Sequence, residues 1–129
     1  MADTAARAGD ILEAAIALGP ELRAAAAEIE QGRRLPERIV ARMKQAGIFR
    51  MAMPRSWGGP ELDPVAQMRV IEEIARADGS AGWCAMINSD GGYFTAYIDQ
   101  DVARVMYRDL DAPTGSQLIF SGEGAVVDG

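Results

Sequence analysis

Apolar positions recur at helical spacing through most of the chain, and glycine, proline and short polar residues punctuate them. Ile11, Leu12, Ala15 and Ile16 open the pattern, and Leu22, Ala25, Ala26 and Ile29 continue it beyond Gly19-Pro20. Proline is comfortable at the first position of a helix, so this stretch predicts two helices, or one helix kinked at Pro20, ended by Gly32. Pro36 opens the next segment with a stripe of Ile39, Val40 and Met43, and Gly47 suits a left-handed cap behind it. Residues 49–53 read as a short extended exit, and 55–62, with Trp57, Gly58, Gly59 and Pro60, as a loop. Asp63 offers a side-chain acceptor ahead of Pro64, which has no amide hydrogen to satisfy, and so starts a helix whose buried stripe is Val65, Met68, Ile71 and Ala75.

Gly79 ends that helix and Ser80 can cap the next. Between 80 and 98 the one charged residue is Asp90, and apolar residues point in every direction, the pattern of a helix at the centre of a core. Asp99 caps a last short helix carrying Val102, Val105 and Met106. Beyond Pro113 the segments 117–120 and 125–127 are rich in β-formers, and Asp128-Gly129 reads as a hairpin turn whose returning strand is missing. The fold class expected is all-α, an orthogonal bundle of about five to six helices with the start of a β domain at the C-terminus. The boundaries expected are a helical domain over 1–112 and the beginning of a truncated middle domain over 113–129.

Composition narrows the chemistry. The 129 residues contain no His, which excludes Ser-His-Asp and Cys-His catalysis within the chain and most zinc sites. Cys84 is the single cysteine, so no intrachain disulfide is possible, and a lone thiol suits a reducing, cytoplasmic setting. No apolar run spans a bilayer, and no basic segment leads into a signal-like core, so a membrane partner is not expected. Thirteen basic residues against nineteen acidic ones leave a net charge of −6, which argues against general nucleic-acid binding. The basic run Arg33, Arg34, Arg38, Arg42 and Lys44 supports a rival reading, a small helical DNA-binding or interaction module, against a solvated face with some intersubunit salt bridges. Gly122-Glu123-Gly124 lacks the spacing and the following helix of a dinucleotide loop, and Asp99, Asp101, Asp109 and Asp111 lack the offsets of a calcium loop.

The segment 78–89 is the most informative. Trp83 offers an aromatic surface, with the polar Asn88 and Ser89 one to two turns away in an otherwise apolar helix. A pocket wall and a core helix with satisfied polar groups are both consistent with it. Cys84 has no base to activate it and reads as packing.

The succession Arg34-Leu35-Pro36, Gln45-Ala46-Gly47-Ile48-Phe49-Arg50, Met53-Pro54 and Trp57-Gly58-Gly59-Pro60-Glu61 resembles the N-terminal helical domain of the acyl-CoA dehydrogenase superfamily. The run Ile71-Glu72-Glu73-Ile74-Ala75-Arg76-Ala77-Asp78-Gly79-Ser80, then Trp83, and later Gly124-Ala125-Val126-Val127-Asp128-Gly129, extends the resemblance over nearly the whole chain from about Asp10. It implies a flavoprotein oxidoreductase in which a β-barrel domain and a C-terminal helical bundle follow. FAD, or reduced flavin, would lie mainly between those later domains, and the catalytic Glu of the dehydrogenases would fall in the later bundle, so no catalytic residue is expected here. The domain would supply one wall of the substrate pocket and part of the packing of a homo-oligomer, a homotetramer in that family. The stretch 111–117 keeps neither the Thr-Glu-Pro nor the Gly-Ser-Asp of dehydrogenases. The passage onward resembles instead the flavin-dependent monooxygenase branch, which hydroxylates aromatic substrates. The resemblance therefore implies an acyl-CoA or aromatic small-molecule substrate and a flavin reductase or electron-transfer partner. The expected substrate-binding residues are Trp83, Asn88, Ser89 and Tyr93, with Trp57, Gly58 and Gly59 near the pocket mouth.

Overall fold

In the computed structural model, residues 8–115, 122 and 124–127 are described. α1 (Ala8–Gly32) is one continuous helix with Pro20 inside it. Gly19 has no Cβ for the proline ring to strike, and Pro20 faces solvent, where the carbonyl left without its amide can be hydrated. Ile11, Ala15, Leu18, Leu22, Ala25 and Ile29 are buried at alternating spacings of four and three, one continuous seam. Ile16, expected on that seam, points outward instead, because it lies off this repeat.

α2 (Glu37–Gln45) buries Ile39 and Met43, one turn apart, and Gly47 follows in the left-handed conformation at φ +74°. The exit at 49–53 is not extended. A single 3₁₀ turn, Ile48–Arg50, is followed by a second turn, and Ile48, Phe49, Met51 and Met53 are all buried. An extended strand would point alternate side chains to opposite faces, so only a folded path lets all four reach the core. The loop expected next contains another 3₁₀ turn, Arg55–Trp57.

α3 (Pro64–Ala77) starts as expected, with the Asp63 carboxylate accepting from the Val65 and Ala66 amides at 3.0 Å each. Its buried face is Gln67, Val70 and Ile74 rather than the stripe read from the sequence; Val65 and Met68 are exposed and Ile71 is half-buried. α4 (Gly79–Asn88) is capped not by Ser80 but by Asp78, whose Oδ1 accepts from the Ala81 amide at 2.8 Å. The same residue donates its own amide to Ile74 O at 3.0 Å, so one Asp closes α3 and opens α4 with no loop between.

That short corner forces α3 and α4 close together. A Cβ placed on Gly82 would lie 2.4 Å from Ala75 Cβ. Only small residues fit inward, and α4 buries Ala81, Gly82 and Ala85. The expectation that 80–98 forms a central rod, buried all round, is therefore corrected: its large side chains stand on the opposite face. Trp83 is 62% exposed and Tyr97 88%, with Met86, Tyr93 and Phe94 also on the surface. The segment is also broken after Asn88 into the single-turn α5 (Gly91–Phe94) and a 3₁₀ turn, Thr95–Tyr97. At this break the Gly92 backbone lies so close to Ala52 that an added Cβ would meet the Ala52 carbonyl oxygen at 2.1 Å.

α6 (Gln100–Met106) is capped by Asp99, which accepts from the Asp101 and Val102 amides. The chain then crosses back as a strap. Asp109 pairs with Lys44 at 2.9 Å, Asp111 with Arg50 through two bonds of 2.9 and 2.7 Å, and the Thr114 amide donates to Asn88 O at 3.2 Å. The acidic tail read as capping and solvated is thus partly a set of ties to α2 and to the turn after it. Among the described residues the fold is all-helical, as expected, with six α-helices and no strand. The β-rich stretch 117–120 and the turn at 128–129 lie outside the described residues, and 125–127 are exposed without regular structure.

Candidate functional site

Grooves flank α4 on two sides. One, of about 500 Å³, lies between the end of α1 and the start of α4, with Ile29 and Leu35 as its apolar floor and Arg33, Arg34, Ser80 and Trp83 around it. The other, of about 360 Å³, lies between α3 and the α4–α5 segment, where Met68, Ile71, Met86, Ile87, Tyr93 and Phe94 surround Ser89.

The four expected substrate residues are divided between these places. Trp83 stands over the first groove. Ser89 and Tyr93 line the second. Asn88 lines neither; its side-chain amide donates to Cys84 O at 2.9 Å, and its own carbonyl receives the Thr114 amide. Ser89 is 2% exposed and donates its hydroxyl to Met86 O at 3.2 Å. Both polar side chains thus satisfy backbone carbonyls of α4, which lets Ser89 be buried and Asn88 half-buried at little cost. Trp57 sits away from both grooves, tilted 45° against Tyr107 with ring centres 6.4 Å apart, under the Arg104 guanidinium at 5.1 Å. Gly58 supplies a left-handed turn at φ +87°, and Gly59 packs directly on the Met53 backbone. The Trp57–Gly59 corner therefore fastens the loop to α6.

Sequence reasoning passed over Met68, Met86 and Phe94, which with Tyr93 give the second groove its apolar surface. The signal was present as the apolar Val65 and Met68 on α3, assigned to a core stripe when they form a second, outward one.

The electrostatics favour binding over proton transfer. Burial, with help from the Asp78 charge, pushes the Cys84 thiol above its ordinary pKa, which keeps it protonated and unreactive at neutral pH. Among the described residues no cluster of three or more His, Cys, Asp or Glu could hold a metal ion. Much of the basic run is paired within the chain. Arg38 pairs with Glu28, Arg42 with Glu21 and Lys44 with Asp109. Two cations of that run, Arg33 and Arg34, have no acidic partner among the described residues. No Lys or Arg lines the second groove, where Asp90 would repel a flavin phosphate. The first offers one indole face and, besides its two arginines and Glu30, only Ser80 as a polar side chain. Neither lining supplies the polar edge contacts a flavin ring needs, so these residues do not fit a flavin by themselves. Both suit an apolar or aromatic molecule.

These features of helix order and site match a known class. The acyl-CoA dehydrogenase N-terminal domain family covers residues 13–100, and the chain belongs to that family as an N-terminal domain. Within it, the chain is similar to the oxygenase subunit HsaA of a flavin-dependent monooxygenase from Rhodococcus jostii, at 35% identity over 114 residues, 88% of this chain and 30% of the relative. It is also similar to indole-3-acetate monooxygenase from Acinetobacter baumannii, at 27% identity over 100 residues, 78% of this chain and 24% of the relative. The crystal structure of the HsaA monooxygenase from M. tuberculosis superposes with a TM-score of 0.76 at 30% identity, over 81% of this chain and 29% of that one. Similarity to a probable acyl-CoA dehydrogenase of Mycobacterium leprae covers 55% of the chain, so the monooxygenase likeness extends further along it. The chain spans about a third or less of the length of these relatives.

Proposed function

We propose that this chain acts as the N-terminal helical part of a longer flavin-dependent oxidoreductase of the monooxygenase kind, with α4 and α5 as one wall of its substrate pocket. The observation that carries this reading is the exposed row Trp83, Met86, Tyr93, Phe94 and Tyr97 on a segment whose one charge is Asp90. Large apolar side chains clustered on a surface mark a place that something else covers. A helix held rigidly at its start by Asp78 and at its end by Gly92 is a suitable wall, because its side chains are fixed in place before a ligand arrives.

In this reading Trp83 touches the substrate, Tyr93 presents its ring to the neighbouring groove of the same wall, and Asn88 and Ser89 stand behind and hold the α4–α5 junction. The wall binds and orients an aromatic substrate and excludes water from it. Flavin is assigned to regions beyond this chain, as are the catalytic groups; residues 1–112 would be the helical domain and 113–129 the lead into the next. A reductase that supplies reduced flavin, a homo-oligomeric assembly and a cytoplasmic setting belong to the same proposal.

The test is turnover by the longer protein given reduced flavin, oxygen and an aromatic substrate. Hydroxylated product, with KM raised in Trp83→Ala, supports the reading. Oxidation of an acyl thioester instead would move the protein to the dehydrogenase branch, and a longer protein that binds no flavin would overturn the proposal.

A further inference from the structure

We propose that the groove between the end of α1 and the start of α4 seats an aromatic monoanion, its ring on Trp83 and its carboxylate on Arg33 and Arg34. The inference deepens the reading above by naming a substrate class, and it rests on that reading.

At about 500 Å³ the groove falls within the range of small-molecule sites. The two tryptophans of the chain are treated differently. Trp57 is covered by Tyr107 and Arg104, while the Trp83 indole is 62% exposed and no aromatic or cationic group covers it among the described residues. The basic run is treated differently in the same way: Arg38, Arg42 and Lys44 are consumed by acids, and the two arginines left over line this groove.

The backbone adds an independent observation. Arg33, just after α1, lies in the left-handed region at φ +52°, a conformation in which glycine is the unstrained residue. A strained position occupied by a side chain that makes no ion pair among the described residues points to a use for that side chain. Glu30 lines the same groove and leaves the two arginines with a net charge of +1, which favours a monoanion over a dianion. Gly79 and Ser80, in the first turn of α4, line the same groove, and the positive end of the helix dipole there reinforces that sign. An exposed guanidinium alone holds a carboxylate weakly, so affinity requires the ring and the charge together.

The experiment titrates 2-naphthoate and its neutral counterpart 2-naphthamide into the 129-residue chain, following the Trp83 indole N–H resonance, with Trp57→Phe to assign it. No flavin or oxygen is present, so this result stands or falls separately from turnover. Naphthoate should bind about tenfold more tightly than naphthamide, and the preference should vanish in the Arg33→Gln/Arg34→Gln double variant. Arg33→Gly offers a check that cannot be confused with misfolding: it should raise the Tm by relieving the left-handed strain while weakening naphthoate binding. Equal binding of acid and amide, absence of binding, or an unchanged preference in either arginine variant would overturn the proposal.

Discussion

The close approach of α3 and α4 can be probed by one methyl group. In Gly82→Ala the new Cβ would start 2.4 Å from Ala75 Cβ and 2.6 Å from Ala75 Cα. Carbon atoms rest at about 3.5–4.0 Å, so the helices must part by about 1 Å or more. The obstruction includes backbone, and no flexible side chain can swing aside to absorb it. Overpacking of this kind costs about 1–3 kcal/mol, and the upper end applies where the neighbour cannot yield. Replacing glycine by alanine inside a helix returns about 1 kcal/mol. The net expectation is a loss of about 2 kcal/mol, a Tm lower by about 8 °C for a domain of this size. Gly79→Ala, three residues earlier on the same helix, meets nothing within 4 Å and serves as the control. It should be neutral or slightly stabilising. Urea titrations followed by circular dichroism at 222 nm (the helical band) would measure both. A Gly82→Ala variant as stable as the parent, with an unchanged denaturant slope, would refute the claim that the corner at Asp78 fixes this spacing.

The strap after α6 gives two more expectations. Asp111→Ala removes both bonds to Arg50, whose side chain is 24% exposed, and should cost about 1–2 kcal/mol in the same urea assay, mainly through the guanidinium left without its partner. A loss within error of zero would mean the strap is ornamental. Asp109 is held below its ordinary pKa first by the hydrogen bond from Lys44 and then by the Asp111 amide. Its contribution is therefore present above the ordinary carboxylate pKa and is lost as pH falls through the lowered value. Because the pair is exposed, the effect should be no more than about 0.5 kcal/mol, and Asp109→Asn should narrow the stability difference between neutral pH and about pH 3 by that amount. A wider difference in the Asn variant would contradict the sign.

Much of the fold was legible because local rules decided it. Asp63-Pro64 and Asp99 cap their helices as the sequence reading expects, and Gly47 takes its left-handed turn. What escaped depended on tertiary distance. Periodicity shows that α3 and the segment after it carry apolar side chains on more than one face, but not which face meets the core. That is decided by the absence of a loop at Asp78 and by the resulting contact of Gly82 with Ala75. Once small residues occupy the interface, Trp83, Met86 and Tyr93 must turn outward, and Met68 joins them from α3. The same facts explain why the candidate site was read in part. Residue type pointed to the right segment, whereas the division of Trp83 from Ser89 and Tyr93 into separate grooves follows from which neighbour lies on each side of α4. The roles of Asn88 and Ser89 as internal hydrogen-bond donors needed coordinates, since the same amide and hydroxyl could equally have faced a ligand.

The most direct test of the wall is Trp83→Ala in the longer protein proposed above, with thermal stability and steady-state kinetics measured on the same preparation. A residue that faces the pocket should leave stability within about 1 kcal/mol of the parent and raise KM about tenfold. A loss of about 3–5 kcal/mol with KM unchanged would return Trp83 to the core and contradict the account.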